Sequence, residues 1–200
     1  MIAAGVMPGG STADNARRTM VFACGNALLG DDGVGWRIGR EISDNPPREN
    51  VFVVCTQQLL PEHAEAVSDA DLAVFVDCSA ITPAGTVSTT PIEAAGALPA
   101  IFTHHLDPAS LLKLALEFYG KTPSRSVAIT VGGEDFALRE VPSGKVAAAI
   151  PAALLAVRRV ISERDCRAEH EEPPTATGTP GDMPLSDLPS HDFESDGQLS

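Results

Sequence analysis

The stretch ACGNALLGDDGVGW (residues 23–36) decides the fold, because it joins a predicted β-strand to a predicted helix. The run TMVFACG (19–25) is short, apolar and rich in β-branched and aromatic residues, which is typical of a strand buried on both faces. From Val34 to Ile42 an apolar residue recurs every four positions, as on the buried side of an amphipathic helix. A strand, a glycine-rich turn and a helix are therefore expected in succession.

The turn carries two adjacent carboxylates, Asp31 and Asp32, where a phosphate-binding loop would carry a lysine. Gly25 and Gly30 have the glycine interval of a P-loop, but the Lys-Ser/Thr pair that neutralises phosphate is missing, and so is the G-x-G-x-x-G pattern. Since a helix N-terminus favours negative charge, we expect Asp31 or Asp32 to cap the helix that begins near Gly33 and to offer a spare oxygen to a cation. The alternative is that both aspartates are only caps and solubilising charge.

Further apolar runs predict strands, and they alternate along the chain with helical patterns. The runs are NVFVVCTQQ (50–58), DLAVFVDCSA (71–80) and RSVAITVGG (125–133), and GTVSTTPI (85–92) predicts a short edge strand. Strands that alternate with helices indicate an α/β fold. We therefore expect a three-layer α/β/α sandwich with a mostly parallel, twisted sheet, of the phosphorylase/hydrolase-like kind.

Three helices are predicted after the first one. The best defined runs from an N-cap at Asp107 to a stop at Gly120, with proline at its first helical position. A second helix is predicted over residues 143–163, kinked or restarted at Pro151, because proline cannot donate the helical hydrogen bond. A third is opened by proline and covers residues 61–69.

The two ends of the chain differ in composition from its middle. Residues 1–18 are small and polar and are predicted to be a flexible extension, whereas residues 19–163 form a single predicted domain. Residues 164–200 contain five prolines, one phenylalanine and many acids. Such a segment buries too little apolar surface to offset the entropy of ordering, so we expect a disordered acidic tail.

Charge and hydropathy exclude several classes of partner. The formal net charge is −13, but residues 163–200 hold ten acids against two arginines, so the remainder is only mildly acidic and nucleic acid is not an expected partner. No stretch reaches the ~18 apolar residues that a membrane span needs. MIAAGVMPGG (1–10) also lacks the cationic start of a signal peptide. We expect a cytoplasmic protein that does not contact membranes.

The four cysteines form no C-x-x-C pair, which argues against zinc ribbons and thioredoxin-like redox motifs. In a cytosolic chain we expect free thiols. Cys24, Cys55 and Cys78 fall at strand ends and would lie near each other if the strand order is 2-1-3. We interpret them as small apolar fillers. The alternative is that Cys78 is a thiol nucleophile with a histidine as its base.

The residues that follow the strands predict a metal-binding edge, because ligands of open α/β sheets bind beyond the carboxyl ends of the strands. Asp77 directly follows a buried apolar run, and an acid in that position needs a partner or a metal; the alternative is a structural carboxylate that accepts backbone N–H groups. His104 and His105 come shortly before a helix, and at least one of them is expected to be structural. Asp32, Asp77 and one histidine together offer two hard oxygens and a nitrogen, which suits a first-row divalent metal.

Four motifs together resemble the hydrogenase maturation proteases, the endopeptidases that trim the C-terminus of the large subunit of nickel-iron hydrogenases. The first is VFACGNALLGDDGVGWRIGREI (21–42), a strand, a G-x-G-N-like turn and an acidic pair before a helix. FVDCSAITPAGTV (75–87) is similar to the second, THHLDPASLLKLA (103–115) to the third and VAITVGGEDF (127–136) to the last. The resemblance covers roughly residues 19–162 in order.

The resemblance implies that Asp32, Asp77 and His104, with His105 as the alternative, are the metal-binding and catalytic residues. Ala23 stands where the family has the first glycine of G-x-G-N, and Asp32 stands where some members have glutamate. The stretch QQLLPEHAE (57–65) differs from the glycine-rich loop of many members and is expected to face the substrate.

The resemblance further implies a function and a partner. The expected activity is removal of the C-terminal extension of a nickel-loaded hydrogenase large-subunit precursor, by a monomeric enzyme without a tightly bound cofactor. The nickel would arrive with the substrate. One alternative is a chaperone that recognises the nickel centre without cutting the precursor. Another is a hydrolase or phosphorylase-like enzyme that binds a small phosphorylated ligand.

Overall fold

A computed structural model describes residues 17–95 and 106–168 of the chain. Its strands are β1 (Thr19–Cys24), β2 (Val51–Thr56), β3 (Leu72–Ser79), β4 (Val87–Pro91) and β5 (Arg125–Gly132). Its helices are α1 (Val34–Asp44), α2 (His63–Ser68), α3 (Pro108–Tyr119) and α4 (Gly144–Ala168), and a short 3₁₀ helix at Gly30–Gly33 precedes α1.

The five strands form one sheet in the order β2-β1-β3-β5-β4. The first four of these are parallel neighbours, and β4 runs antiparallel to β5 at the edge. The predicted α/β fold with a mostly parallel sheet and a short edge strand is confirmed. The order 2-1-3, which was the condition for bringing the three cysteines together, is the one found. β1 therefore lies between β2 and β3, and the carboxyl ends of all three strands meet at one edge of the sheet.

Helices cover both faces of the sheet, which explains the unbroken apolar runs. Along β1 the side chains alternate between two cores: Val21 packs with residues of α1 and α4, and Phe22 packs with residues of α2 and α3. All six residues of β1 are buried. A strand that is covered on both faces needs apolar side chains at every position, so the pattern of β1 reports its central place in the sheet.

The ends of α3 are those that the sequence predicts. The carboxylate of Asp107 accepts a hydrogen bond from the backbone N–H of Ser110 at 2.7 Å. Gly120 ends the helix with φ of 70° and donates its N–H to the carbonyl of Leu116 at 2.9 Å. Both ends depend on local chemistry, a short acceptor side chain and a left-handed glycine, and are therefore visible in the sequence.

Of the two predicted alternatives at Pro151, a kink or a restart, the restart is not found, because α4 is a single helix that contains this proline. Val146 before it and Ala153 and Val157 after it are buried in the same core. Packing of both halves against the sheet compensates for the missing backbone hydrogen bond. The helix also continues to Ala168, past the predicted end of the domain at residue 163.

The predictions for the two chain ends concern mainly residues outside the described part. Residues 1–16 and 169–200 are not described, so the flexible extension and the disordered tail stay predictions. Within the described ranges, no helix has the length and apolarity required to span a bilayer.

Candidate active site

A cleft of about 330 Å³ lies where β1, β2 and β3 end. Its walls come from the three strand ends, the loop after β1 and the residue that precedes α3 by two positions. They consist of Cys24, Gly25, Asp32, Gln57, Gln58, Leu59, Asp77, Cys78 and Leu106. The structure thus brings two predicted site residues, Asp32 and Asp77, to one cleft.

Close backbone contacts at two glycines hold Asp32 at the carboxyl-end edge of the sheet. Gly25 has φ of 130°, and a Cβ atom there would lie 1.9 Å from the backbone oxygen of Asp32, so the loop folds back tightly on itself. At Gly35, in the first turn of α1, a Cβ atom would lie 2.1 Å from the carbonyl oxygen of Cys24. The helix start is therefore pressed against the end of β1, and other side chains at these two glycines would displace the acidic turn.

Asp32 is half-buried and faces the cleft. Its Oδ2 accepts a hydrogen bond from the backbone N–H of Asn26 at 2.7 Å, across the loop after β1. Among the described residues its Oδ1 has no hydrogen-bond donor. One oxygen is thus fixed by the protein, while the second is available to a ligand.

Asp31, the adjacent acid, has a different environment. Its side chain is 0% exposed, and its carboxylate accepts backbone N–H groups of Glu134, Asp135 and Ser143 at 2.9, 2.9 and 2.6 Å. Burial alone would raise the pKa of Asp31, but the three donors outweigh burial and lower the pKa. Asp31 therefore joins the acidic turn to the loop between β5 and α4.

The prediction that Asp31 or Asp32 caps α1 is wrong. The N-cap residue is Gly33, and no side chain hydrogen-bonds to the helix start there. Both acids lie within the 3₁₀ helix Gly30–Gly33 that precedes α1, and their carboxylates accept backbone N–H groups outside α1. Asp31 instead satisfies N–H groups of a distant loop, and Asp32 satisfies the loop that precedes it.

Asp77 follows the buried Val76 and lies exposed at the mouth of the cleft. Its Oδ1 accepts the backbone N–H of Cys78 at 2.7 Å. Desolvation of the carboxyl group by the surrounding protein raises the pKa of Asp77 to about 6. The hydrogen bond from Cys78 acts in the opposite direction, and the negative charge of Asp32 raises the pKa further. The like charges of Asp32 and Asp77 make the cleft a place that favours a cation.

His104 and His105, the predicted third ligand and its alternative, lie outside the described residues. Leu106, which follows them in the chain, belongs to the cleft wall. Within residues 17–95 and 106–168, no group of three His, Cys, Asp or Glu side chains is arranged to hold a metal ion.

The predicted cysteine arrangement is only partly the one found. Cys24 and Cys78 border the cleft, whereas Cys55 pairs with Ala23 inside the sheet and its sulfur faces α1 at Gly39. Burial, with the nearby carboxylates, raises the pKa of Cys24 and of Cys78 to about 12. Protonated thiols are poor nucleophiles, which argues against the alternative of Cys78 as a catalytic cysteine.

Two features of the cleft have no role assigned from the sequence. Gln57 and Gln58 supply its amide side chains; they end the predicted strand run 50–58 and begin the stretch 57–65 that is expected to face the substrate. A neighbouring apolar pocket of about 310 Å³ shares Asp77 with the cleft and extends between Phe75 and Pro108. The surface at these strand ends thus has a polar half, formed by the cleft, and an apolar half, formed by the pocket.

Solved structures with the same architecture place the fold among known proteins. The hydrogenase maturating endopeptidase HybD from E. coli matches at 25% sequence identity with a TM-score of 0.59, over 74% of this chain and 93% of that one. The chain has the fold of the hydrogenase maturation endopeptidases. The resemblance noted in the sequence is thereby confirmed, and the likeness to HybD supports a peptide hydrolase.

Two archaeal structures show the same endopeptidase fold. The NiFe hydrogenase maturation protease HycI from Thermococcus kodakarensis is 19% identical, with a TM-score of 0.57 over 72% of this chain and 92% of that one. A hydrogenase 2 maturation peptidase from a Thaumarchaeota archaeon is 24% identical, with a TM-score of 0.55 over 72% and 98%. No protein-family model and no curated protein sequence matches the chain.

Proposed function

We propose that the protein is an endopeptidase that removes the C-terminal extension of the nickel-loaded precursor of a nickel-iron hydrogenase large subunit. Asp32, Asp77 and His104, with His105 as the alternative, are the proposed metal-sensing and catalytic residues. The observation that carries the proposal is that Asp32 and Asp77 line one cleft at the carboxyl ends of β1 and β3. The likeness to HybD supports the reaction class.

The donor set fits a nickel ion that belongs to the substrate. Carboxylate oxygens with an imidazole nitrogen suit first-row divalent metals, and nickel binds such donors better than manganese or iron does. Leu106, which follows the two histidines in the sequence, lines the cleft. A site with three protein donors leaves metal positions open to the substrate's own ligands.

The arrangement explains how cleavage would depend on metal insertion. Without a cation, Asp32 and Asp77 repel each other and any acidic part of the precursor. A precursor that carries nickel neutralises this repulsion, so its C-terminal segment is held in the cleft. We also infer a cytoplasmic monomer without a tightly bound cofactor, since no residue pattern in the chain calls for one.

The deciding experiment uses the full-length protein and the cognate precursor under anaerobic conditions. We expect the nickel-loaded precursor to lose the mass of its C-terminal extension and the metal-free precursor to stay intact, as measured by intact-protein mass spectrometry. Binding without mass loss would contradict the protease and favour the alternative chaperone. Thermal protection by inorganic phosphate that survives in Asp32→Ala would favour the alternative phosphate-binding enzyme.

The choice between the two histidines is tested in the same assay. We expect His104→Ala to abolish processing and His105→Ala to retain it. The opposite result would move the third ligand to His105. Cleavage at the wild-type rate by both variants would show that neither histidine belongs to the proposed site.

A further inference from the structure

The polar half of the cleft contains few groups that can donate a hydrogen bond to a substrate. Asp32 and Asp77 are acceptors when ionised. The backbone N–H of Gly25 donates to the carbonyl of Thr56 at 3.1 Å, and that of Cys78 donates to Asp77 at 2.7 Å. These two N–H groups beside the carboxylates are therefore already engaged.

The neutral amide donors among the cleft-lining side chains are those of Gln57 and Gln58. Within the described ranges, neither side-chain amide has a hydrogen-bond partner in the protein. An amide offers two N–H donors and a carbonyl acceptor, which match the groups of a peptide bond. The pair thus complements a substrate backbone in a cleft that is otherwise lined by acids, thiols and apolar groups.

Gln58 is the better positioned of the two. It is half-buried, whereas Gln57 is exposed. The hydroxyl of Thr56, the last residue of β2, donates to the backbone carbonyl of Gln58 at 2.9 Å. This bond ties the backbone of Gln58, in the bend after β2, to the last residue of the strand.

We propose that the Nε2 amide of Gln58 donates a hydrogen bond to the carbonyl oxygen of the scissile peptide bond. The inference rests on the proposed peptidase function. In hydrolysis the water oxygen bonds to the carbonyl carbon, and the π electrons move to the carbonyl oxygen, which becomes negative. The carbon–nitrogen bond then breaks, and both water protons end on the released amine as the new carboxylic acid ionises.

The developing oxyanion needs a donor that is in place before the reaction. The negative charges of Asp32 and Asp77 would destabilise the oxyanion. The neutral amide of Gln58 would stabilise it by a hydrogen bond and adds no charge to the cleft. Its Oε1 remains available to accept an N–H group of the bound peptide.

The test compares Gln58→Leu, Gln58→Glu and wild type on the nickel-loaded precursor, with single-turnover rates measured over a range of enzyme concentrations. Loss of one oxyanion donor costs about 100- to 1,000-fold in well-buried sites; for this half-buried amide we expect a loss of about 10- to 100-fold in the maximal rate. We expect less than about threefold change in the half-saturating concentration. Gln58→Glu, which has the same shape but adds charge, should be slower than Gln58→Leu.

Two further variants sharpen the assignment. Gln58→Asn keeps the amide one methylene short and should recover part of the rate, while Gln57→Leu should lose less than Gln58→Leu. Melting temperatures close to wild type would establish that the variants are folded. Unchanged cleavage by folded Gln58→Leu, or a larger loss in Gln57→Leu, would overturn the role of Gln58 while the peptidase function stands. Absence of cleavage by the wild type would overturn both.

Discussion

Asp31 and Asp32, the two acids of the turn after β1, differ in their relation to the cleft. Asp31 is fully buried and accepts three N–H groups from the loop between β5 and α4. Asp32 accepts one N–H and faces the cleft. Identical side chains at adjacent positions are thus a buried anchor in one case and a cleft-lining group in the other. The environment, and not the residue type, assigns the role.

The largest expected effect separates the two roles in the processing assay. Asp32→Asn keeps an oxygen that can accept the N–H of Asn26 but removes the charge that would bind the metal. We expect cleavage of the nickel-loaded precursor to fall at least about 100-fold, with the melting temperature within about 2 °C of wild type. Mass spectrometry and thermal melting measure the two quantities. Cleavage at the wild-type rate by Asp32→Asn would contradict the functional difference between the two acids, because the charge of Asp32 would then not be needed for processing.

For Asp31→Ala we expect the main loss in stability, whereas for Asp32→Asn it is in cleavage. Three buried backbone N–H groups lose their acceptor, at a cost of roughly 3 kcal/mol or more in the free energy of unfolding. For a domain of this size we expect a melting temperature about 6–12 °C lower. Denaturant titration and calorimetry test this. A variant as stable as wild type would show that the loop between β5 and α4 is held by other contacts.

The pH dependence of stability should have opposite signs for Asp31 and Asp77. The lowered pKa of Asp31 contributes stability that is present above its unfolded pKa and is lost as the pH falls through the folded value. The raised pKa of Asp77, about 6 in the fold, contributes stability that is present below the unfolded pKa and is lost as the pH rises through about 6.

Asp77→Asn is therefore expected to be more stable than wild type above pH 6, in the absence of metal. The advantage should fade toward pH 4, where the wild-type carboxyl is protonated. Melting curves at pH 4, 6 and 8 measure the difference. A stability difference of the same size at pH 4, 6 and 8 would contradict the electrostatic origin. The extra stability would be accompanied by loss of processing, since the proposed site needs the charge.

The smallest effect is expected at the thiols that border the site. The raised pKa values of Cys24 and Cys78, about 12, predict slow alkylation by iodoacetamide at pH 7.5. Cys55→Ser, inside the sheet, should cleave the precursor at the wild-type rate. Rapid modification of Cys78 with loss of processing would restore the alternative of a catalytic thiol.

Much of the fold follows from local patterns that the sequence contains. The apolar run at β1 predicts a buried central strand because burial on both faces leaves no position for a polar side chain. Asp107 and Gly120 predict the ends of α3 because caps act within one turn. At Pro151, where a kink or a restart was predicted, the helix does not restart, because tertiary packing of both helix halves outweighs the local preference of proline.

The site was predictable only in part. Asp77 is identified by its position after a buried strand, and Asp32 by the turn that contains it together with the family resemblance. Gln58 belongs to the stretch 57–65 that is expected to face the substrate, but the sequence assigns no role to its amide, because a glutamine after a strand is equally common in any loop. His104 and His105 lie outside the described residues, so their assignment stays a prediction.

The sequence by itself determined the strands, most of the helix ends and the presence of an acidic pair after β1, since these depend on periodicity and on contacts within a few residues. Only the tertiary structure decided which acid faces the cleft. The N–H groups that bind Asp31 come from residues 103 to 112 positions away in the chain. A carboxylate's role depends on whether such distant donors surround it, and that is settled only when the loop between β5 and α4 packs against the turn.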